Sequence, residues 1–207
     1  MVRNILQKQS HQNHPNFFFL FFSKPFLYFF LLIFDRTNMK KASLFIGRFQ
    51  PFHLGHRFVL DHCRTEIVYI GVGSSQYHHV LDNPFTFDER KTMITLALTD
   101  NFDIKYDIFP VPDIHDPPRW ANYVSMIIPP FSEVLSNNQF TIDLFQEQGS
   151  TVYCPGLQKR SEYAGKEIRR LIINNEPWEH LVPEKVVSYL KKIDAVNRLQ
   201  ELSRKKE

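Results

Sequence analysis

One segment, Gly47-Arg48-Phe49-Gln50-Pro51-Phe52-His53-Leu54-Gly55-His56, constrains this chain more than any other. The apolar run 42–46 feeds into it. Residues 54–63 lead out of it, with Leu54, Phe58, Val59 and Cys63 at helical spacing. The order is strand, tight turn, helix start. Such a turn presents backbone N–H groups at the positive end of a helix dipole, which is a ready anion site. Arg48, His53 and His56 add charge and donors, so the expected anion is a phosphate. The two histidines are three apart at a helix start and can share one face. Gly55 between them is expected to let a ligand approach the backbone. A metal is the weaker reading of the pair, because the nearest carboxylate, Asp61, stands outside the turn.

The rest of the chain alternates between strand and helix patterns. Residues 66–72, 103–111, 133–135 and 151–153 read as strands. Thr86 followed by Glu89 predicts a capping box. The helix it opens runs to Leu98, with Met93, Ile94, Ala97 and Leu98 inward. Further helices are predicted over 119–128, over 140–148 with Gly149 as C-cap, over 165–173, and from Pro183 to Ile193. This order implies an α/β chain, a Rossmann-like single domain whose five-stranded parallel sheet carries helices on both faces. Ligands bind outside the carboxyl ends of such strands. Four polar clusters fall there: the Gly47 turn, Gly73-Ser74-Ser75, the Asp113 loop and Ser136-Asn137-Asn138. They are expected to line one crevice.

Secondary candidates are weaker alone. Gly165 opens a second helix start at which Lys166, Arg169 or Arg170 can supply charge to a phosphate. Trp120 follows a Pro-rich loop and reads either as core or as a stacking platform. Asp113 in that loop suits a ligand amide or ribose. His78, His79 and His115 read as surface residues, and Trp178 as packing.

Composition narrows the class. The formal charge of +3 on 207 residues carries no clustered basic face, so no nucleic-acid partner is expected. Arg198, Arg204, Lys205 and Lys206 interleave with Glu201 and Glu207 and read as a solvated helix end. The two cysteines, Cys63 and Cys154, form no framework and read as packing residues of a reducing cytosol. Residues 17–34 hold nine of the twenty Phe and approach the length of a membrane span. Ser23-Lys24-Pro25 interrupts that run, so a membrane partner is not expected. Residues 1–38 read as an extension ahead of a start at Met39, and 39–207 as the working domain.

Gly47–His56 matches the HxGH nucleotidylyltransferase signature in its GRFQPFHxGH form. The chain resembles the archaeal-type nicotinamide mononucleotide (NMN) adenylyltransferases through further pieces in order. These are Gly71-Val72-Gly73-Ser74-Ser75-Gln76, Asn83-Pro84-Phe85-Thr86 with Glu89-Arg90, Pro110-Val111-Pro112-Asp113-Ile114 with Trp120, Pro129-Pro130-Phe131, Ser136-Asn137-Asn138, Tyr163 to Arg170, and Leu181-Val182-Pro183. The similarity spans about residues 39–199.

The resemblance implies transfer of AMP from ATP to NMN, giving NAD and pyrophosphate, with Mg2+ carried by ATP. It implies that Arg48, His53 and His56 hold the ATP phosphates as catalytic residues. Gly47, Phe49, Ser136, Asn137, Gly165, Lys166 and Arg169 would complete the ATP site. Asp113, Ile114 and Trp120 would hold NMN, with Trp120 stacked on the pyridine ring. No protein metal ligand is implied. A cytoplasmic homo-oligomer is. The chain departs from the family pattern at Ala164-Gly165-Lys166, where Ser-Gly-Thr is usual, at Asp82-Asn83, where some relatives are basic, and in the loop 156–160. Two alternatives follow: a related transferase with another phosphate acceptor, and a nucleotide sensor impaired in catalysis.

Overall fold

The computed structural model describes residues 41–156 and 162–205; the expected extension 1–38 and loop residues 157–160 lie outside them. Along the described chain the elements are β1 (Ala42–Gly47), α1 (Leu54–Asp61), β2 (Ile67–Gly73), α2 (Phe87–Leu98), β3 (Lys105–Val111), α3 (Pro117–Ile127), β4 (Glu133–Leu135), α4 (Gln139–Glu147), β5 (Val152–Tyr153), α5 (Gly165–Ile173), a single 3-10 turn (Glu179–Leu181), α6 (Glu184–Lys192) and α7 (Ala195–Arg204). The five strands form one sheet in the order β3-β2-β1-β4-β5, and every neighbouring pair is parallel. Among the described residues no helix is long and apolar enough to cross a membrane.

The two central strands are nearly continuous apolar runs because both of their faces are covered. Successive side chains of β1 point to opposite faces. Phe45 joins Val68, Ile70 and Val72 under α1, α2 and the C-terminal helices α5, α6 and α7. Leu44 and Ile46 join Val111 and Val134 under α3 and α4, where Phe145 is the central ring. Register brings Gly47 beside Val72, Gly73 beside Val111, and Phe45 beside Leu135. The carboxyl ends of the four strands β1–β4 therefore form one rim. Chain order reverses between β1 and β4, which is where an open α/β sheet leaves a crevice.

Local signals explain most boundaries. Thr86 Oγ1 accepts from the Glu89 N–H, and Glu89 Oε2 accepts from the Thr86 N–H, so the capping box forms. Gly149 sits at φ 76 just past α4, and its N–H and that of Ser150 reach back to Gln146 and Phe145 carbonyls.

Four expectations needed correction. α1 ends at Asp61 rather than Cys63, because the His62 and Cys63 N–H groups turn to carbonyls three residues back. α3 begins at Pro117, since Pro at the first positions needs no N–H partner. The C-terminal region holds two helices rather than one that ends at Ile193; Asp194 at φ 56 turns the chain between them. Of the two thiols, Cys63 packs against the core but Cys154 is exposed.

Candidate functional site

The turn after β1 is built on aromatic rings. Phe49, at φ 53, and Phe52 are buried with rings stacked at 5.9 Å, and the Phe49 ring meets His56 edge-on at 4.7 Å. Phe49 is therefore the seat beneath His56, with its side chain 1% exposed. A Cβ on Gly47 would stand 3.2 Å from the Phe49 ring, so the small residue lets that ring fold back. Gly55 lines the smaller of two rim cavities and also has a packing role: a Cβ there would meet Tyr163 Cβ at 2.7 Å and the His53 ring at 3.1 Å.

His53 and His56 stack at 3.6 Å between centroids and 20° between planes. The His53 N–H donates to His56 Nδ1 at 3.2 Å, so His56 is neutral and carries its proton on Nε2. Burial, and secondarily His53, holds the His56 pKa well below its ordinary value. Burial lowers that of His53 to about 3. Both imidazoles are thus neutral donors in the unliganded chain. His53 Nδ1 is buried without a hydrogen-bond partner in the protein.

Guanidinium groups gather around this turn. Arg169, 5% exposed, donates to the Gln50 carbonyl at 2.8 Å and to Asp82 Oδ1 at 3.4 Å. Arg90 is fully buried. It donates to the carbonyls of Thr86, Arg48, Gly73, Ser74 and Ser75 at 2.8–3.4 Å. Its pKa is lowered to about 10 by burial and then by Arg48, against the opposing charge of Glu89. Arg169 is lowered by burial and by Arg48 as well. Exposed Arg48 therefore adds like charge to both, and the cluster favours an anion. Arg170 does not join it: its guanidinium points to Glu167 and Glu176 on the surface.

Two glutamines clamp backbone. Gln50 donates to and accepts from the Phe85 peptide at 3.1 and 3.0 Å. Gln76 does the same with Asp113, at 2.9 Å for each bond. The Asp113 carboxylate accepts the His115 N–H at 3.0 Å, and His115 Nε2 meets the Tyr77 hydroxyl at 2.6 Å. His115 is exposed, as expected of a surface residue, but it has partners and lines the site's wall.

Two cavities open at the rim. The larger, about 500 Å³, is walled by all four predicted clusters, through Gly47 and Arg48, Gly73 and Ser74, Asp113, and Asn138. Trp120, His115 and Phe140 line it too. Trp120 is half-buried, edge-on to Phe145 at 5.9 Å, so it serves both core and cavity. Ile114 is not among the lining residues. The smaller cavity, about 270 Å³, brings together Arg48, Phe49, His53, His56, Ser136, Asn137, Gly165, Lys166 and Arg169. Gly47, Arg48 and Asn138 belong to both cavities.

The far wall of the smaller cavity is equally specific. Ser136 Oγ accepts the Asn138 N–H, and Asn138 Oδ1 caps α4 by accepting from Thr141. Asn137 Oδ1 accepts from the Gly156 N–H and the Cys154 thiol, while its Nδ2 is buried without a protein partner. α5 begins at Gly165 with no side-chain cap from Ala164, so its first amides are available to a ligand. A Cβ on Gly165 would stand 2.9 Å from the Gln50 carbonyl oxygen. Lys166 is exposed at the cavity edge.

No site role was assigned from sequence to Arg90, Gln50, Gln76, His115, Phe140 or Tyr163, although each stands in a segment or reading named above. Arg90 left a signal: positions 90, 93, 94 and 97 share one helix face, and the last three are apolar.

Residues 44–171 match the family described as cytidylyltransferase-like. A nicotinamide-nucleotide adenylyltransferase of Methanococcus aeolicus is 43% identical over 165 residues, covering 79% of this chain and 95% of the relative. Another, of Pyrococcus horikoshii, is 42% identical over 78% of this chain and 88% of the relative. Among solved structures, a bifunctional NMN adenylyltransferase/ADP-ribose pyrophosphatase of Francisella tularensis, complexed with AMP and manganese, superposes with a TM-score of 0.63 at 24% identity. That match covers 79% of this chain and 52% of the Francisella protein, so the chain spans about half of that protein's length.

Proposed function

Because the chain belongs to the nicotinamide-nucleotide adenylyltransferases of the cytidylyltransferase-like family, we propose that it transfers AMP from ATP to NMN, giving NAD and pyrophosphate. The observation that carries this reading is the pair of cavities sharing Gly47, Arg48 and Asn138 at the β1/β4 crevice. ATP phosphates take the smaller cavity, against His53, His56, the α5 amides, Lys166 and Arg169. NMN takes the larger one, with Trp120 along its ring and Asp113 at its polar edge. The α-phosphorus of ATP then lies at the shared boundary beside Arg48.

A phosphate oxygen of NMN attacks that phosphorus. The new O–P bond forms as the bond to the bridging oxygen of pyrophosphate breaks, and the electron pair leaves with pyrophosphate. The NMN phosphate is already anionic at neutral pH, so the step calls for no general base. Catalysis is alignment of two anions and stabilisation of the charge that moves to pyrophosphate. Neutral His56 donates through Nε2, and the Arg48–Arg169 charge draws in the triphosphate. The donors of the smaller cavity are cationic, imidazole and amide groups. They suit phosphate oxygens rather than a bare cation, and the described residues hold no group of three His, Cys, Asp or Glu placed for a metal. Mg2+ would be carried by the triphosphate and would supply charge neutralisation there. The enzyme is expected to be cytoplasmic and homo-oligomeric; light scattering tests the oligomer, and cell fractionation the location.

The deciding experiment incubates the chain with ATP, Mg2+ and, in turn, NMN, nicotinate mononucleotide, flavin mononucleotide and phosphopantetheine. Dinucleotide formation is followed in each. NAD from NMN is expected; no product from any acceptor would leave a nucleotide sensor as the function.

A further inference from the structure

Phe140 stands in the first turn of α4 and is 59% exposed, whereas Thr141, Ile142 and Phe145 of the same helix are buried. Its exposure is not that of an ordinary outer face. The outer face of α4 carries Gln139 and Asp143, which hydrogen-bond each other in solvent at 2.7 Å. Phe140 instead lines the larger cavity, with Ile46, Pro117 and Trp120. α4 therefore places one aromatic ring in the cavity wall and a second in the core behind Trp120. Phe145 meets Trp120 from the core side, edge-on at 5.9 Å, and Phe140 enters the wall directly. A large apolar ring left in water within a concave site gains free energy when a flat apolar group covers it.

We propose that Phe140 is a specificity-determining residue of the acceptor half, supplying with Trp120 the aromatic walls that hold the pyridine ring of the mononucleotide. The inference rests on the reading of the larger cavity as the NMN site. Asn138 caps α4 two residues before Phe140 and belongs to both cavities. The ring is thereby held in register with the boundary where the phosphates meet. Contact with an aromatic face selects for a flat base and leaves the ribose and phosphate to Asp113 and Arg48. Two aromatic walls also explain how a cavity of about 500 Å³ can grip a ring as small as pyridine.

The test uses the full chain and two variants, Phe140→Ala and Phe140→Tyr. Isothermal titration calorimetry measures NMN and ATP binding separately, each without the other, and thermal melts accompany them. Phe140→Ala is expected to weaken NMN about 10-fold, which is about 1.4 kcal/mol, with ATP affinity and melting temperature unchanged. Phe140→Tyr is expected to bind NMN within about 3-fold of wild type, because the ring is kept. Unchanged NMN affinity in the alanine variant, or equal losses for NMN and ATP, would overturn the inference while leaving the adenylyltransferase reading intact. A wild-type chain that binds ATP but no NMN would sink both.

Discussion

Arg90 is the residue on which the turn geometry most depends. Its guanidinium joins the carboxyl ends of β1 and β2 by donating to the carbonyls of Arg48, Gly73, Ser74 and Ser75. Arg90→Met leaves buried acceptors without donors and is expected to destabilise the fold by about 3–5 kcal/mol, read from the urea midpoint. Arg90→Lys keeps the charge but loses the planar fork, so it should recover only part of that loss. In the proposed reaction His56 would act on the chemistry instead. Removing its outward donor by His56→Ala is expected to lower kcat/KM about 10²–10³-fold. A loss confined to the KM for ATP would contradict a role in the transition state.

At the scale of elements, α5 and the β1 turn are held at a fixed distance by backbone. Gly165 approaches the Gln50 carbonyl so closely that Gly165→Ala must push α5 away from the turn. The expected result is about a 10-fold rise in the KM for ATP with a much smaller change for NMN, in steady-state kinetics with each substrate varied. α2 is tied in by a different route. Glu89 completes the capping box and also receives Arg198 of α7 at 2.8 Å, so Arg198 is a brace, while Arg204 and Lys205 stay exposed as expected of a solvated helix end. Arg198 lies over the Phe85 ring as well, and Phe85 is the residue clamped by Gln50. Thr86→Ala removes the cap and is expected to cost about 1 kcal/mol in chemical denaturation.

For the whole molecule, burial of His53 links folding to pH. Its pKa is about 3 in the folded chain against 6.5 for the ordinary group, so between those values the unfolded chain binds more protons. The contribution of this group is fully present above pH 6.5 and is lost as pH falls towards 3. At pH 5 the loss is about 2 kcal/mol for His53 alone. Melting temperature should therefore fall from pH 7.5 to pH 5, and His53→Asn should flatten that slope; an unchanged slope would place the protons elsewhere.

Much of this architecture was legible beforehand. The strand, turn and helix order around Gly47, the Thr86 capping box and the helix over 165–173 rest on contacts within a few residues. The convergence of the four polar clusters followed from parallel topology. The glutamine clamps were not legible, because Gln50 meets Phe85 across 35 residues and Arg169 meets Gln50 across 119. The packing role of Gly55 was hidden for the same reason, since its neighbour Tyr163 arrives from a distant loop. The amino-acid sequence by itself determined the alternation of elements and the strand–turn–helix segment around Gly47, because local periodicity and capping chemistry specify them. Only the tertiary structure decided that the two histidines are neutral, that Phe49 lies beneath His56 and that Arg90 locks the rim, because desolvation and long-range hydrogen bonds exist only once the sheet and its helices have closed.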